Sequence, residues 1–245
     1  MNILVTGGAG FIGSHLVDTL VEAGHDVTVL DDLSSGRKEY VNQAAQFCQG
    51  DVRDTEALDR LFAGTAFDVV FHGADKTQAP CSMFHPREEA DVSILGLINV
   101  LEHCRRHDVK KILLSSSAAV YGNQEKGLAD ETAPVQPQSF YGLTKAAAEA
   151  YAALYHRMYG LPYAVLRYAN VYGERQGSGT EDGVVSLFSR ALAAGNPMTI
   201  YGDGNQSRDF IYVRDAASAS MAAMAADVPS GIYNISTKIE TTINA

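Results

Sequence analysis

The chain has 245 residues, 46% of them apolar and 20% charged, which is enough to bury one sizeable core and unlike a disordered composition. Nineteen Lys and Arg against 29 Asp and Glu leave a formal charge of −10 with no basic block, so nucleic acid and anionic membrane are poor partners. Cys48, Cys81 and Cys104 form no C-x-x-C pair, which argues against a disulfide framework or zinc cage and fits a reducing cytoplasm.

The start, Asn2-Ile3-Leu4-Val5, has no signal-peptide pattern, and no apolar run approaches the roughly 18 residues of a membrane span. No H-E-x-x-H or calcium-loop spacing occurs among the seven histidines and the acids, so no metal is expected. Short apolar strands then alternate with helical stretches. Asn2 to Thr6 reads as a strand, and Phe11 to Ala23 as a helix with Leu16, Val17, Leu20 and Val21 on one face, closed by Gly24. Strands follow at Asp26 to Leu30, Gln46 to Gln49, Asp68 to His72, Val109 to Ser115 and Tyr163 to Tyr168, with helical patterns near 54–62, 88–107 and 143–159.

Repeated βα units with strands apolar on both faces predict an α/β fold, a doubly wound parallel Rossmann sheet covered by helices on both sides. After Asn170 the rhythm gives way to Gly-rich loops at 173–183 and 202–204, an amphipathic stretch from Val184 to Ala194, and a helix near Asp215 to Ala226 rich in Ala, Ser and Met. That composition suits close helix packing. The expected division is a dinucleotide-binding domain over 1–175, with 209–230 packed back onto it, and a smaller lobe over 176–245.

Thr6-Gly7-Gly8-Ala9-Gly10-Phe11-Ile12-Gly13 lies between the first strand and the first helix, where glycines let the backbone approach a pyrophosphate at the helix amino end. Asp31 and Asp32 end the second strand, where a carboxylate accepts from the adenosine ribose hydroxyls and repels a 2′-phosphate; this favours NAD, while nearby Arg37 and Lys38 leave NADP as an alternative. Gly50-Asp51-Val52, after the third strand, can place a carboxylate beside the adenine amino group, or by itself is just a turn. Tyr141 and Lys145 stand four apart, on one helical face, so that an ammonium lies near a phenol that otherwise ionises near pH 10. Ser115-Ser116-Ser117 brings a hydroxyl to the same carboxyl edge of the sheet.

These stretches, with Leu114 to Gly122, Leu166 to Gly173, Tyr201-Gly202-Asp203-Gly204 and Arg208-Asp209-Phe210, resemble the extended short-chain dehydrogenases/reductases and, within them, the NAD-dependent sugar-nucleotide epimerases. The likeness runs almost end to end. It implies Ser117, Tyr141 and Lys145 as the catalytic set. It further implies Gly7, Gly10, Phe11, Ile12, Gly13, Asp31, Asp32, Asp51, Val52, Ser115, Tyr141, Lys145 and Tyr168 around NAD, and Ser117, Tyr141, Asn170, Thr199, Tyr201 and Arg208 at a UDP-sugar. The implied reaction is 4-epimerisation of a sugar of the UDP-glucose/UDP-galactose type through a transient 4-keto sugar, by a cytoplasmic homodimer.

Sugar 4,6-dehydratases of this family carry an Asp-Glu pair where Ala118 and Ala119 stand here, which argues against dehydration; a related reductase or decarboxylase stays open. Asp75 and Lys76 stand where the family has small or amide residues, and Ser93 where an Asn approaches the cofactor, so cofactor affinity or substrate choice is expected to differ. Family members continue well past Gly231 to Ile235, so part of the substrate lobe is expected to be missing, with a non-catalytic NAD-binding module as the alternative.

Overall fold

The computed structural model describes residues 1–76, 82–123, 129–177 and 183–245. Cys81 and the segment 178–182 of the expected Gly-rich loop therefore lie outside the described residues. In chain order the first elements are β1 (Asn2–Thr6), α1 (Phe11–Glu22), β2 (Asp26–Asp31), β3 (Gln46–Gln49), α2 (Thr55–Gly64) and β4 (Val69–His72). Next come α3 (Pro86–Ala90), a π-helical stretch Asp91–Gly96, α4 (Leu97–Arg106), β5 (Lys111–Ser117), a short 3-10 turn Ala118–Tyr121, α5 (Phe140–Tyr159) and β6 (Tyr163–Tyr168). The remainder is β7 (Asn170–Tyr172), α6 (Val184–Ala193), β8 (Ser207–Arg208), β9 (Phe210–Tyr212), α7 (Val213–Ala222), β10 (Gly231–Ile235) and β11 (Thr241–Thr242).

Seven strands form one sheet in the order β10-β6-β5-β4-β1-β2-β3, every pairing parallel. The period-2 alternation of a strand explains how it is covered twice. Ile3, Val5, Val29, Phe71, Leu113 and Leu166 face α1 and α7, joining Leu16, Val17, Leu20, Ala216 and Ala217. Their neighbours Leu4, Leu30, Val70, Ile112, Leu114 and Val165 point the other way, onto Leu58 and Phe62 of α2, Leu97, Val100 and Leu101 of α4 and Ala152 of α5. Each such side chain contributes about 1.5–3 kcal/mol on burial, so both layers are held to the sheet by hydrophobic contact. The Ala-Ser composition of α7 has the packing role expected, since Ala216, Ala217 and Ser220 are buried where α7 lies against α1.

The helix expected near 88–107 forms over 86–106 without a gap, α3 passing through the π-helical stretch into α4 with helical backbone at both junctions. At Gly96 a Cβ would come within 2.5 Å of a Val52 methyl, so the helix packs closely on the loop after β3, a contact its own periodicity does not encode. Two small ladders lie beside the main sheet: β7 pairs parallel with β9, and β8 antiparallel with β11. The amphipathic stretch 184–194 does form α6, yet none of its residues is buried.

A buried polar chain ties β5, α5, β6 and β10 together. Arg167 donates to both carboxylate oxygens of Glu149 at 2.9 and 2.6 Å and to the Tyr121 hydroxyl at 2.8 Å; Ser116 donates to Glu149, and Tyr121 to Asn234. Glu149→Ala, which leaves the guanidinium buried without its carboxylate, is expected to lower the unfolding free energy by about 3–5 kcal/mol in a denaturant titration.

Candidate active site

A cleft of about 350 Å³ opens at the carboxyl ends of the strands where the sheet order reverses between β1 and β4, the place where ligands of doubly wound folds enter. Gly7, Gly10, Phe11, Ile12, Gly13, Asp31, Asp32, Asp51, Val52 and Ser115 all line it. Gly7 has φ +71°, and a Cβ there would sit 2.7 Å from the backbone of Gly73 and Ala74, so only glycine lets the turn after β1 pass this close to the end of β4. Gly10 starts α1 without a side-chain cap, leaving the helix amino end for an anion.

Asp31 fixes the turn from the side. Its carboxylate accepts the amides of Ala9 and Leu33, each at 2.9 Å. Burial pushes the Asp31 carboxyl above the usual carboxylate range, against the pull of those two amides. Asp51 goes the opposite way, held below that range by the Arg53 guanidinium bonded to it. Arg37 pairs with Glu39 and the Lys38 ammonium lies 5.4 Å from the Phe47 ring centre, so both cations have partners of their own. These features fit a dinucleotide: a close backbone turn, an uncapped helix start and carboxylates one strand away.

The second group of residues converges from β5 and α5. Ser139 caps α5 by accepting the Gly142 amide at 3.0 Å, and the Ser82 hydroxyl accepts the Tyr141 amide at 3.0 Å. This puts Tyr141 and Lys145 in the first two turns, with the Lys145 ammonium 5.6 Å from the Tyr141 ring centre. At Gly142 a Cβ would lie 2.7 Å from the Ala119 carbonyl oxygen, so the start of α5 sits directly on the turn 118–121. Ser117 caps that turn, its Oγ accepting the Ala119 amide at 3.1 Å, which leaves the hydroxyl proton for another acceptor. Ser116 turns into the core toward Glu149, and the Ser115 carbonyl accepts from Lys145 at 2.6 Å.

Three further groups surround Lys145 that no local pattern announces. Asp75, just past β4, forms an ion pair with Lys145, both side chains being buried. Ser93 of the π-helical stretch donates to Asp75 and, at 3.2 Å, to the buried Glu89; Thr144 also donates to Glu89, at 3.0 Å. Burial is the largest single effect and would depress the Lys145 ammonium, but the Asp75 charge and hydrogen bond, with the Tyr141 and Glu89 charges, together hold Lys145 above the usual lysine range. Burial, then the Asp75 charge, raise the Glu89 carboxyl. His72, bonded to Thr6 at 2.9 Å, is pushed down to about 4 by burial and stays neutral at pH 7. The departure at Asp75, Lys76 and Ser93 was the one available signal; Glu89 sits in the charged run Pro86 to Glu89 and has none.

Other expected site residues lie elsewhere. Tyr168 belongs to the core, not the cleft: its ring is buried and its hydroxyl shares a 2.6 Å bond with Ser220 of α7. Asn170 on β7 donates through its side chain to the Asp209 carbonyl. Arg208 on β8 is exposed and donates to the Ser207 carbonyl at 2.7 Å, while the Asp209 carboxylate accepts the amides of Thr237 and Lys238. Thr199 is exposed, and Tyr201 is 84% exposed. None of Asn170, Thr199, Tyr201 and Arg208 lines the large cleft.

Fold and cleft together fit a dinucleotide-dependent enzyme. The chain belongs to the NAD dependent epimerase/dehydratase family, whose profile matches residues 3–236. It is 46% identical over 243 residues to a putative UDP-glucose 4-epimerase of Methanocaldococcus jannaschii, covering 99% of this chain and 79% of that protein. Among solved structures it is similar to the UDP-glucose 4-epimerase of Thermotoga maritima with UDP-glucose (TM-score 0.96, 42% identity, 100% of this chain and 79% of that one). It is similar also to the UDP-glucose 4-epimerase of Thermus thermophilus in complex with NAD (TM-score 0.94, 40% identity, 99% and 80%).

Gly142→Ala should force α5 off the Ala119 carbonyl. The expected outcome is a loss of about 1–3 kcal/mol in chemical unfolding, and an unchanged midpoint would show that the turn 118–121 yields without cost.

Proposed function

We propose that the protein catalyses NAD-dependent 4-epimerisation of a UDP-sugar of the UDP-glucose/UDP-galactose type. The observation that carries this reading is the meeting of Tyr141 and Lys145 on α5 with the turn capped by Ser117, beside a cleft whose walls suit a dinucleotide. Tyr141 takes the proton of the sugar 4-hydroxyl as general base. Lys145 supplies the neighbouring positive charge that favours a phenolate. Ser117 donates its free hydroxyl proton to the sugar oxygen and holds it through the 4-keto stage. NAD, when bound, supplies the acceptor and donor of hydride at C4, and its return to the opposite face of the sugar inverts that centre.

Asp31 and Asp32 are assigned to the adenosine ribose, Asp51 and Val52 to the adenine, Gly7, Gly10, Phe11, Ile12 and Gly13 to the pyrophosphate turn, and Ser115 and Lys145 to the nicotinamide end. The two acids at the end of β2, with Arg37 and Lys38 otherwise engaged, favour NAD over NADP. Asn170, Thr199, Tyr201 and Arg208 are assigned to substrate, Tyr201 against uracil and Arg208 on the diphosphate, for which a guanidinium fork is suited. The division into a dinucleotide domain over 1–175 with 209–230 packed back, and a partial substrate lobe over 176–245, is supported by α7 lying against α1. The exposure of Thr199, Tyr201 and Arg208 favours, as a second reading, an NAD-binding module without turnover.

Ala118 and Ala119 occupy the positions where a dehydratase carries acids, so no 4-keto-6-deoxy sugar is expected to accumulate. The direct test is incubation with UDP-galactose, with and without added NAD, followed by chromatography. UDP-glucose should form in the wild type, and Tyr141→Phe should lose at least about 10²-fold in turnover while binding NAD normally by calorimetry. Wild-type-like turnover in Tyr141→Phe would remove Tyr141 from the mechanism, and NAD binding without any wild-type conversion would favour the second reading.

A cytoplasmic homodimer completes the proposal. Leu95 of the π-helical stretch and Leu143, Leu154 and Met158 of α5 are exposed apolar side chains on adjoining segments that suit a second copy of the chain. Light scattering should give a dimer mass, and Leu154→Asp with Met158→Asp should return a monomer.

A further inference from the structure

Lys145 has three donors and little water. One reaches the Ser115 carbonyl at 2.6 Å and another the Asp75 carboxylate, whose second oxygen accepts the Lys76 amide at 2.8 Å and the Ser93 hydroxyl. The exposed fractions of the Lys145 and Asp75 side chains are 5% and 8%, so their attraction is weakly screened. Asp75 also lines both the large cleft and a small adjoining cavity of about 10 Å³ bounded by His72, Ser93, Thr144 and Lys145. A carboxylate has thus been built into the contact between the cleft and the ammonium beside Tyr141.

We propose that Asp75 is a positioning residue for the Tyr141–Lys145 pair, a resident counter-ion that holds the ammonium against the Ser115 carbonyl and restrains release of the pair's proton. This rests on the catalytic reading of Tyr141 and Lys145 given above. The charges facing the pair are those of Asp75 and Lys76 from the loop after β4 and Glu89 from α3, with Glu88 and His85 further out on the cleft wall and His72 neutral on β4. Of these, Asp75 touches Lys145 directly.

The sign of its effect does not depend on which atom loses the proton. Tyr141 and Lys145 titrate as a coupled pair, and a nearby negative charge opposes the first deprotonation whether the proton leaves the phenol or the ammonium. Removing that charge makes the singly deprotonated pair, which includes the phenolate-ammonium form used as base, accessible at lower pH. Glu89 remains, but it reaches the pair only across Ser93 and Thr144.

The test compares wild type with Asp75→Asn, Asp75→Ala and Ser93→Ala. The acid limb of the kcat–pH profile for UDP-galactose conversion should move by about one pH unit toward acid in both Asp75 variants. Ser93→Ala keeps the carboxylate charge and should leave the limb within a few tenths of a unit. The second readout needs no turnover: ultraviolet difference titration of the phenolate in each background, with and without Tyr141→Phe, in the free and the NAD-loaded protein. The Tyr141 signal should appear about one unit lower without Asp75. An unmoved or alkaline-shifted titration in both Asp75 variants, with NAD still bound, would overturn the role of Asp75. Absence of conversion with the phenolate shift present would overturn the epimerase reading alone. Should Asp75→Asn fail to fold, Asp75→Ala, which installs the small side chain the position otherwise accommodates, carries the same comparison.

Discussion

A parallel sheet covered on both faces leaves the ends of its strands for chemistry, and here the residues of the cleft are gathered by that constraint. Ile3 and Leu4, Val69 and Val70, Leu113 and Leu114 point to opposite helical layers, so these central positions are taken up by packing. The carboxyl end is where β1 hands over to the glycine turn, β2 to Asp31, β4 to His72 and Asp75, and β5 to Ser117. Reversal of strand order between β1 and β4 opens the gap there into a cleft. The helices that cover the sheet then bring Tyr141, Lys145 and Glu89 to the same edge because they must begin there for the chain to return to the next parallel strand.

What could be read in the sequence follows from how local its cause is. β1 and β6 were legible to the residue and α1 to within one, since each is governed by its own periodicity and bounded by a turn or a glycine. The helix over 86–106 was legible as well, but its π-helical stretch was not, since Gly96 packs on Val52, more than forty positions away. The same holds at the site. The glycine turn, Asp31 and the Tyr141–Lys145 spacing are local patterns with a mechanism attached. The pairing of Asp75 with Lys145 spans 70 positions, and that of Glu89 with Thr144 spans 55, so only the unusual residue types at 75, 76 and 93 hinted at them. Tyr168 was drawn toward the cofactor by its neighbours in a recognisable stretch, whereas strand alternation turns its ring to α7.

Among the described residues two buried ion pairs differ in what their chemistry permits. Glu149 and Arg167 meet through two hydrogen bonds, and Ser116 and Tyr121 take up further capacity, so the pair is locked in one geometry and suits a structural joint between β5, β6 and α5. Lys145 offers instead a point charge on a flexible stem, one that can keep a contact while exchanging partners. It is held by a carbonyl and a carboxylate at the wall of a cavity with room for about one water. A guanidinium at position 145 would resist release to a ribose hydroxyl; an ammonium can share itself among Ser115, Asp75 and a ligand.

That difference bears on why a carboxylate is tolerated at position 75 at all. Breaking a buried pair is costly, and an unpaired Lys145 would face the desolvation that burial imposes. Asp75 offsets this before any cofactor arrives, and the Ser93 hydroxyl and the Lys76 amide in turn satisfy Asp75. In its proposed role as a counterweight to Lys145, Asp75 raises the pair's affinity for its proton and lowers the fraction of phenolate, in return for a site that is pre-formed when empty. An enzyme that must take a proton from a sugar hydroxyl and give it back to the same oxygen gains from a base that is not held too firmly in one protonation state, because donation and abstraction are equally demanding halves of one cycle.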